Sequence, residues 1–277
     1  MTESAISNHS DMTKTRKWQP SAFIKASVVL HVVAVASALL WPQFIVICIA
    51  ALIANHAVLA AAGLWPRSSL LGPNTLRLPG GRPEVALTID DGPDPDITPQ
   101  VLDILKAYGI KATFFCIAAK VQRHPELAQR MVAEGHHIEN HSMVHRHYFS
   151  VLGWRGIKKE LAAAQQVIEE TSGRRPLFFR APAGLRNLFL DPVLHQLDLQ
   201  LVSWTRRGFD TRVRDAQKIL NRLLDNAQAG DILLLHDANA ARGSNGRPVI
   251  LDVLPQLIEQ LTKRKLQFVR LEEGMQA

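Results

Sequence analysis

Residues 85–94, VALTIDDGPD, place two adjacent carboxylates directly behind an apolar run. The run predicts a buried strand, and Gly92 and Pro93 are typical of the turn that follows a strand. Asp90 and Asp91 repel each other and lose solvation at this position, which costs free energy. They either cap a turn or belong to a site in which one carboxylate binds a metal ion and the other transfers protons.

The strand that begins at Val85 opens a repeating pattern of apolar runs and helix-like stretches. Six further runs follow it: ATFFCIA, HHIENHS, LFFRAP, LQLVSW, DILLLH and LQFVRL. The alternation predicts an α/β fold with a parallel sheet and helices outside it, and about seven strands fit an incomplete barrel. The clearest predicted helices cover 98–108, 124–134, 157–171, 214–229 and 249–263.

The region before this pattern is apolar enough to enter a membrane. Between Ala22 and Trp65 the one formally charged residue is Lys25. Two apolar segments flank Pro42, and each is about long enough to cross a hydrocarbon core of roughly 30 Å as a helix. The sequence therefore predicts an integral membrane protein with a polar tail (1–20), a hairpin of two transmembrane helices (21–66), a linker (67–84) and a catalytic domain (85–277).

Basic residues on both sides of the hairpin predict its orientation. Lys14, Arg16 and Lys17 precede the first segment, Arg67 and Arg77 follow the second, and the connecting turn has none. The positive-inside rule places the catalytic domain on the cytoplasmic side of a membrane such as a bacterial inner membrane. Two alternatives stay open: a cleaved signal peptide, and a single span that puts the domain on the outer side.

The formal net charge is +7, and the basic residues are scattered over predicted helices and loops without interleaved aromatic residues. This distribution does not predict a nucleic-acid-binding module. Attraction to an anionic membrane surface or to a phosphorylated substrate explains the charge at least as well. The two cysteines, Cys48 and Cys116, are predicted to be buried thiols rather than a disulfide pair.

Polar side chains follow several predicted strands at their carboxyl ends, where active groups collect in such folds. His141 and His145 are four residues apart, and on a helical turn this spacing aims two imidazoles in one direction. With Asp91 they form a set of two imidazoles and one carboxylate, which leaves an open position on a catalytic zinc ion. The complete group on the predicted rim is Asp90, Asp91, His141, His145, Arg180, Asp210 and His236.

The motifs TIDDGPD, HSMVH, RAPAG and LLLHD stand in the order and at the intervals typical of a known family. From residue 85 onward the chain resembles the polysaccharide deacetylases of carbohydrate esterase family four, which include chitin and peptidoglycan deacetylases. The resemblance implies a distorted (β/α)₇ barrel. It also implies a divalent metal ion as cofactor, and the set of ligands favours Zn²⁺.

The resemblance assigns roles to the residues that match the first three motifs. Asp90 would be the general base, and Asp91 would bind the metal ion with His141 and His145. Arg180 would pair with Asp90 and orient it.

Three further roles follow from the resemblance, and the chain departs from the family pattern at two positions. His236 would be the general acid that protonates the leaving amine, Asp210 would orient it, and the backbone amide of Ala183 would help to hold the oxyanion. The family usually has an aromatic residue where this chain has Ala183, and an Asp-Trp pair where it has Asp210 and Thr211. Trp204 is predicted to lie in a strand core. These departures predict an acceptor other than an extended chitin chain.

The sequence thus predicts a metal-dependent hydrolase that removes an N-acetyl group from an amino sugar. A hairpin and a cytoplasmic domain suit a membrane-associated or lipid-linked saccharide as substrate. Two alternatives remain beside the interpretation that the carboxylates cap a turn. One is a hydrolase of another amide, such as an N-formyl group, and the other is a non-catalytic barrel that binds a glycan or lipid.

Overall fold

The computed structural model describes residues 17–276. The predicted polar tail lies mostly outside this range, as do Lys14, Arg16 and the C-terminal Ala277. The described chain forms one curled parallel sheet surrounded by helices, with two apolar helices at its N-terminal end. The α/β fold with an incomplete barrel, predicted from the sequence, is confirmed.

Eight strands form the sheet within the described range: β1 (Glu84–Asp90), β2 (Thr113–Cys116), β3 (His137–Asn140), β4 (Phe178–Phe179), β5 (Gln200–Leu201), β6 (Arg206–Arg207), β7 (Ile232–His236) and β8 (Gln267–Val269). All the pairings between them are parallel, in the spatial order β5-β4-β3-β2-β1-β7-β6, and β8 pairs with the start of β1. β1 is buried on both faces, as expected for the central strand of a parallel sheet.

The described helices are α1 (Ala22–Leu40), α2 (Ile45–Leu64), α3 (Thr98–Ala107), α4 (Ala118–Arg123), α5 (Pro125–Ala133), α6 (Trp154–Ser172), α7 (Leu190–Gln196), α8 (Ala216–Leu224), α9 (Val249–Lys263) and α10 (Leu271–Met275). The five helices predicted for the domain correspond to α3, α5, α6, α8 and α9. The helices that were not predicted, α4, α7 and α10, have 5 to 7 residues. Such short helices show too few turns to establish a hydrophobic period.

The main core lies between the centre of the sheet and the helices on its outer face. Leu87 and Ile89 of β1 are fully buried and belong to the same cluster as Leu254, Leu257 and Leu261 of α9. Spacings of three, four and seven residues place these leucines on one face of the helix. This packing holds β1 in place, and with it the two aspartates at its carboxyl end.

The two N-terminal helices, α1 and α2, are long and apolar enough to cross a membrane, with mean hydropathies of 2.1 and 2.4. A short 3₁₀ turn, Pro42–Phe44, joins them. Most of their apolar side chains are exposed, so neither helix is a core helix of the domain. The buried side chains of Ser27 and Asn55 join them by a hydrogen bond of 2.8 Å from Asn55 Nδ2 to Ser27 Oγ. The two helices therefore can form the predicted hairpin.

The ends of the hairpin nearest the domain are attached to it. At the start of α1, Ser21 Oγ donates a hydrogen bond to the Leu70 carbonyl at 2.6 Å. At the end of α2, the Gly63 carbonyl accepts one from the Arg186 amide at 3.1 Å. A Cβ atom at residue 63 would lie 2.5 Å from the Arg186 carbonyl oxygen, so this close approach requires glycine.

The segment that follows the hairpin lies along the sheet. The Thr75 amide donates to the Leu201 carbonyl of β5 at 2.9 Å, and the Leu78 amide donates to the Gly230 carbonyl, before β7, at 2.8 Å. Residues 75–78 therefore connect the two ends of the incomplete barrel.

Candidate active site

The carboxyl ends of the strands bring the predicted site residues to one rim. Asp90 ends β1 and His236 ends β7, while the other residues lie on loops that follow β1, β3, β4 and β6. A cavity of about 290 Å³ opens at this rim, and Arg180 and Asp210 lie directly behind residues of its wall. The predicted residues that line the cavity are Asp90, Asp91, His141, His145, Ala183 and His236.

Three of these residues have the arrangement of a metal site. One donor atom from each of Asp91, His141 and His145 lies within 4.8 Å of the others. Asp91 Oδ1 is 3.3 Å from His141 Nε2 and 3.5 Å from His145 Nε2. The histidines lie on a loop, so the predicted helical turn between them is wrong. Positive φ angles at Ser142 and His145 curve this loop instead, and the ring centroids stand 4.9 Å apart.

Hydrogen bonds determine which imidazole atom faces the carboxylate. His141 Nδ1 is 2.7 Å from the Arg180 carbonyl oxygen, which can only accept, so Nδ1 carries the proton. In the neutral ring, Nε2 therefore points a lone pair at Asp91 Oδ1. That oxygen is buried and accepts no hydrogen bond from the described residues. Two facing acceptors leave a place for a cation, and one carboxylate with two imidazoles suits Zn²⁺.

Asp90 is held by a buried arginine. Arg180 Nη1 donates to Asp90 Oδ1 at 2.6 Å and to Thr88 Oγ1 at 2.8 Å, and Nη2 donates to the Ser203 carbonyl at 2.9 Å. The guanidinium lies 4.1 Å from the ring centre of Phe115 and is 1% exposed. Asp90 lines the cavity, and its second oxygen, Oδ2, lies 3.9 Å from His141 Nε2.

His236 is held by a second buried ion pair. The Asp210 carboxylate accepts from His236 Nδ1 at 2.9 Å and from the His236 amide at 2.7 Å. Nε2 is therefore the ring nitrogen available to the cavity. Burial lowers the pKa of His236, but the charge and hydrogen bond of Asp210, followed by the charges of Asp90 and Asp91, outweigh burial and raise the pKa from 6.5 to about 9.

The loops of the rim hold unfavourable backbone conformations. Asp91 and His145 have φ angles of 77° and 50°, and Ala183, in the 3₁₀ turn Pro182–Gly184, has a φ of 54°. Such conformations cost about 1–3 kcal/mol each for residues other than glycine, and they cluster at functional sites. Ala183 lines the cavity as predicted, with no aromatic ring at that position.

The structure adds residues to the site that the sequence interpretation missed. Asn239 Nδ2 donates to Asp91 Oδ2 at 2.8 Å, and Lys120 Nζ donates to the Asp91 carbonyl at 2.8 Å. Asn239 follows β7 on the rim, a position that could have identified it. Trp204, predicted to lie in a strand core, instead follows β5 outside the strands, and its buried side chain lines the cavity together with Arg207.

Comparison with known proteins agrees with this fold. The family model described as Polysaccharide deacetylase matches residues 77–202. A peptidoglycan-N-acetylglucosamine deacetylase of Bacillus cereus is 35% identical over 201 residues, which cover 72% of this chain and 91% of the relative. A chitooligosaccharide deacetylase of Azorhizobium caulinodans is 32% identical over 170 residues, which cover 61% of this chain and 80% of the relative.

Solved structures show the same architecture. A peptidoglycan N-acetylglucosamine deacetylase crystallised in complex with 4-naphthalen-1-yl-N-oxidanyl-benzamide superimposes with a TM-score of 0.68 at 28% identity. The match covers 74% of this chain and 93% of that one. Fold and relatives thus define a hydrolase of carbon–nitrogen bonds other than peptide bonds. The chain belongs to the polysaccharide deacetylase family, carbohydrate esterase family four, whose members depend on a metal ion.

Proposed function

We propose that this protein is a membrane-anchored deacetylase that uses a divalent metal ion to remove the N-acetyl group from an amino sugar carried on a lipid or close to the membrane. The observation that carries this proposal is one cavity holding three sets of groups. These are the triangle of metal-ligand donors, the carboxylate paired with Arg180, and the imidazole paired with Asp210. Hydrolysis of an amide needs a group for each of these tasks.

The metal ligands in this proposal are Asp91, His141 and His145. Their donor set favours Zn²⁺, and when bound such an ion would polarise the amide carbonyl and lower the pKa of a bound water. Asn239 holds the second carboxylate oxygen of Asp91, while the Arg180 carbonyl fixes the ring of His141. These supporting contacts orient the ligands before the ion binds.

The proton transfers belong to Asp90 and His236. Asp90 accepts a proton from the attacking water, and the ion pair with Arg180 holds the carboxylate in position. His236 is protonated at neutral pH because its pKa is about 9, and it donates its Nε2 proton to the amide nitrogen. The carbon–nitrogen bond then breaks, which releases acetate and a free amine. The amide of Ala183 donates to the oxygen that becomes negative during the attack.

The attachment of the hairpin supports a substrate at the membrane. Pro66 is the second residue after the end of α2, and a Cβ atom at Gly184 would lie 2.6 Å from the Pro66 side chain and 2.8 Å from the ring of Trp204. The cavity of about 290 Å³, hereafter the catalytic cavity, therefore has its rim next to the end of a helix that is long and apolar enough to span a membrane. With the basic residues on both sides of the hairpin, this arrangement favours a cytoplasmic domain in a bacterial inner membrane.

Acetate release tests the reaction. The full chain, purified in detergent with zinc, is incubated with chitotetraose, with a polyprenyl-phosphate-linked N-acetylglucosamine and with the N-formyl analogue of that lipid-linked sugar, and acetate and formate are measured. We expect acetate from the lipid-linked sugar, loss of activity after chelation, and recovery with zinc. Absence of acetate from every N-acetylated sugar with the zinc-loaded chain would contradict the proposal, and formate from an N-formyl sugar would favour the alternative amide.

A reporter fusion tests the orientation. Alkaline phosphatase is active only outside the cytoplasm, so we expect a fusion at the C-terminus to be inactive. An active fusion would place the domain on the outer side and contradict the hairpin orientation.

A further inference from the structure

A second and larger cavity adjoins the catalytic cavity. Its volume is about 560 Å³, and the two cavities share the side chains of Trp204 and Arg207. The sequence scatters basic residues, but the fold brings several of them together here with aromatic rings. We call this the arginine cavity, and its four arginines are Arg67, Arg206, Arg207 and Arg222.

Three of the four arginines have no acidic partner among the described residues: Arg67, Arg207 and Arg222 form no salt bridge within 4.0 Å. Arg207 is held by aromatic rings instead, with its guanidinium 5.3 Å from the ring centre of Trp204 and 5.0 Å from that of Phe209. Its Nε is buried and donates no hydrogen bond within the part of the chain that the structure describes. The cavity therefore has unused positive charge and an unused buried donor.

The remaining charges do not neutralise this surplus. Arg206 pairs with the buried carboxylate of Asp231 at 2.9 Å, and that carboxylate also pairs with Arg77 at 3.0 Å. The carboxylate of Asp225 is the single acidic group among the residues lining the cavity. The arginine cavity is thus suited to an anion.

The arginine cavity opens where the hairpin joins the domain. Trp65, Pro66 and Arg67 line it, and they follow the last residue of α2. An anion bound here lies between the end of an apolar helix on one side and the catalytic cavity on the other. A lipid attached to that anion can run along α2 into the membrane.

We propose that the arginine cavity binds the phosphate group of a lipid-linked amino sugar whose N-acetyl group lies in the catalytic cavity. This inference rests on the proposed function and names the substrate class as a polyprenyl glycosyl phosphate. Arginine forms paired hydrogen bonds with phosphate oxygens. In such a substrate the amide and the phosphate are attached to neighbouring carbons of the sugar ring, only a few bonds apart. The two cavities are similarly close, because they share the wall formed by Trp204 and Arg207. The phosphate is bound and not cleaved.

A matched pair of substrates tests the inference. One is farnesyl-phosphoryl N-acetylglucosamine, and the other is the farnesyl glycoside of N-acetylglucosamine, which has the same tail and no phosphate. Acetate release by the full zinc-loaded chain is measured in phosphatidylcholine nanodiscs. We expect kcat/KM to favour the phosphate-linked substrate by about tenfold or more, because the arginines can form charge-assisted hydrogen bonds with the phosphate oxygens.

Variants assign this preference to the arginines. Arg222→Gln and Arg67→Gln should each raise KM for the phosphate-linked substrate about fivefold to tenfold, with little change in kcat. The control is Arg175→Gln, which removes a charge before β4 that lines neither cavity, where Arg175 pairs with Glu169 at 3.5 Å. It should leave both constants as they are in the wild type.

The outcomes separate this inference from the proposed function. Equal use of both substrates by the wild type, or an equal rise of KM for both in the variants, would overturn the phosphate site and leave the deacetylase intact. If added phosphatidylglycerol changes KM for both substrates, while the substrate's own phosphate makes no difference, the cavity binds a bilayer headgroup. That result would also overturn the inference. If neither substrate releases acetate, the proposed function is wrong and the inference falls with it.

Discussion

The catalytic cavity and the arginine cavity share a wall, but they hold their charges in different ways. In the catalytic cavity, Asp90 and His236 each have a buried partner of opposite charge, Arg180 and Asp210. In the arginine cavity, Arg222 is exposed and lies 5.4 Å from an aromatic ring centre, without an acidic partner in the described chain. One cavity has its charges paired within the protein, whereas the other leaves charge available to a ligand.

This difference follows from burial. A charge removed from water costs several kcal/mol unless a partner compensates it, so the catalytic groups must be paired, and pairing fixes their geometry. Preorganised groups are what transition-state stabilisation requires. Arg67 and Arg222 at the open cavity are exposed, so they keep much of their solvation and need no partner. Their side chains can adapt to a flexible anionic group, as binding requires.

The largest effect is expected at the catalytic aspartates. Asp90→Asn should keep bound zinc and lower kcat by about 10³- to 10⁴-fold, because the general base is lost. Asp91→Asn should lose bound zinc, measured by atomic absorption on the purified full chain. Asp103→Asn, at a surface pair with Arg130, serves as the control. Normal zinc content and turnover in both variants would contradict the assigned roles.

Arg180→Met should be the most destabilising of the charge changes. It leaves Asp90 buried without its cation, and breaking a buried pair costs about 3 kcal/mol or more of unfolding free energy. The double variant with Asp90→Asn should recover part of this loss, since the uncompensated charge is then absent. Thermal unfolding of the full chain in detergent measures both, and simple additivity of the two single effects would argue against the pairing.

Asp210→Asn should change the pH dependence. A general acid must be protonated, so kcat/KM of the wild type should fall as the pH rises through the His236 pKa of about 9. Without the Asp210 carboxylate, the pH at which kcat/KM falls should move down toward the ordinary histidine pKa of 6.5. The pH profile of acetate release measures this shift. If kcat/KM of the variant falls at the same pH as that of the wild type, His236 is not the general acid.

The smallest effect is expected at the exposed arginines. Arg222→Gln should change the unfolding free energy by no more than about 0.5 kcal/mol, the usual range for surface substitutions. Arg206→Gln should cost about 1 kcal/mol or more, because the buried Asp231 then keeps Arg77 as its single cationic partner among the described residues. Equal destabilisation by the two variants, measured by thermal unfolding, would remove the contrast between paired and unpaired charge.

The sequence was sufficient for the sheet and for the residues at its carboxyl ends. Apolar runs and helical periods are local signals, so the long helices and the strands with clear patterns were predicted, as was the shared rim. β6 was missed because two arginines show no strand period. The helical turn between His141 and His145 was predicted wrongly, because a spacing of four residues does not report the positive φ angles that shape the loop.

The sequence by itself determined which chemical groups are present and at which strand ends they stand. A carboxylate pair behind a buried strand and two histidines on a later loop reach the same edge in any parallel sheet, because the carboxyl ends of its strands meet there. Only the tertiary structure decided that Arg67, Arg207 and Arg222 meet around one cavity. Their proximity comes from the attachment of the hairpin to the barrel and from the packing of α8, contacts between distant segments that leave no periodic signal in the chain.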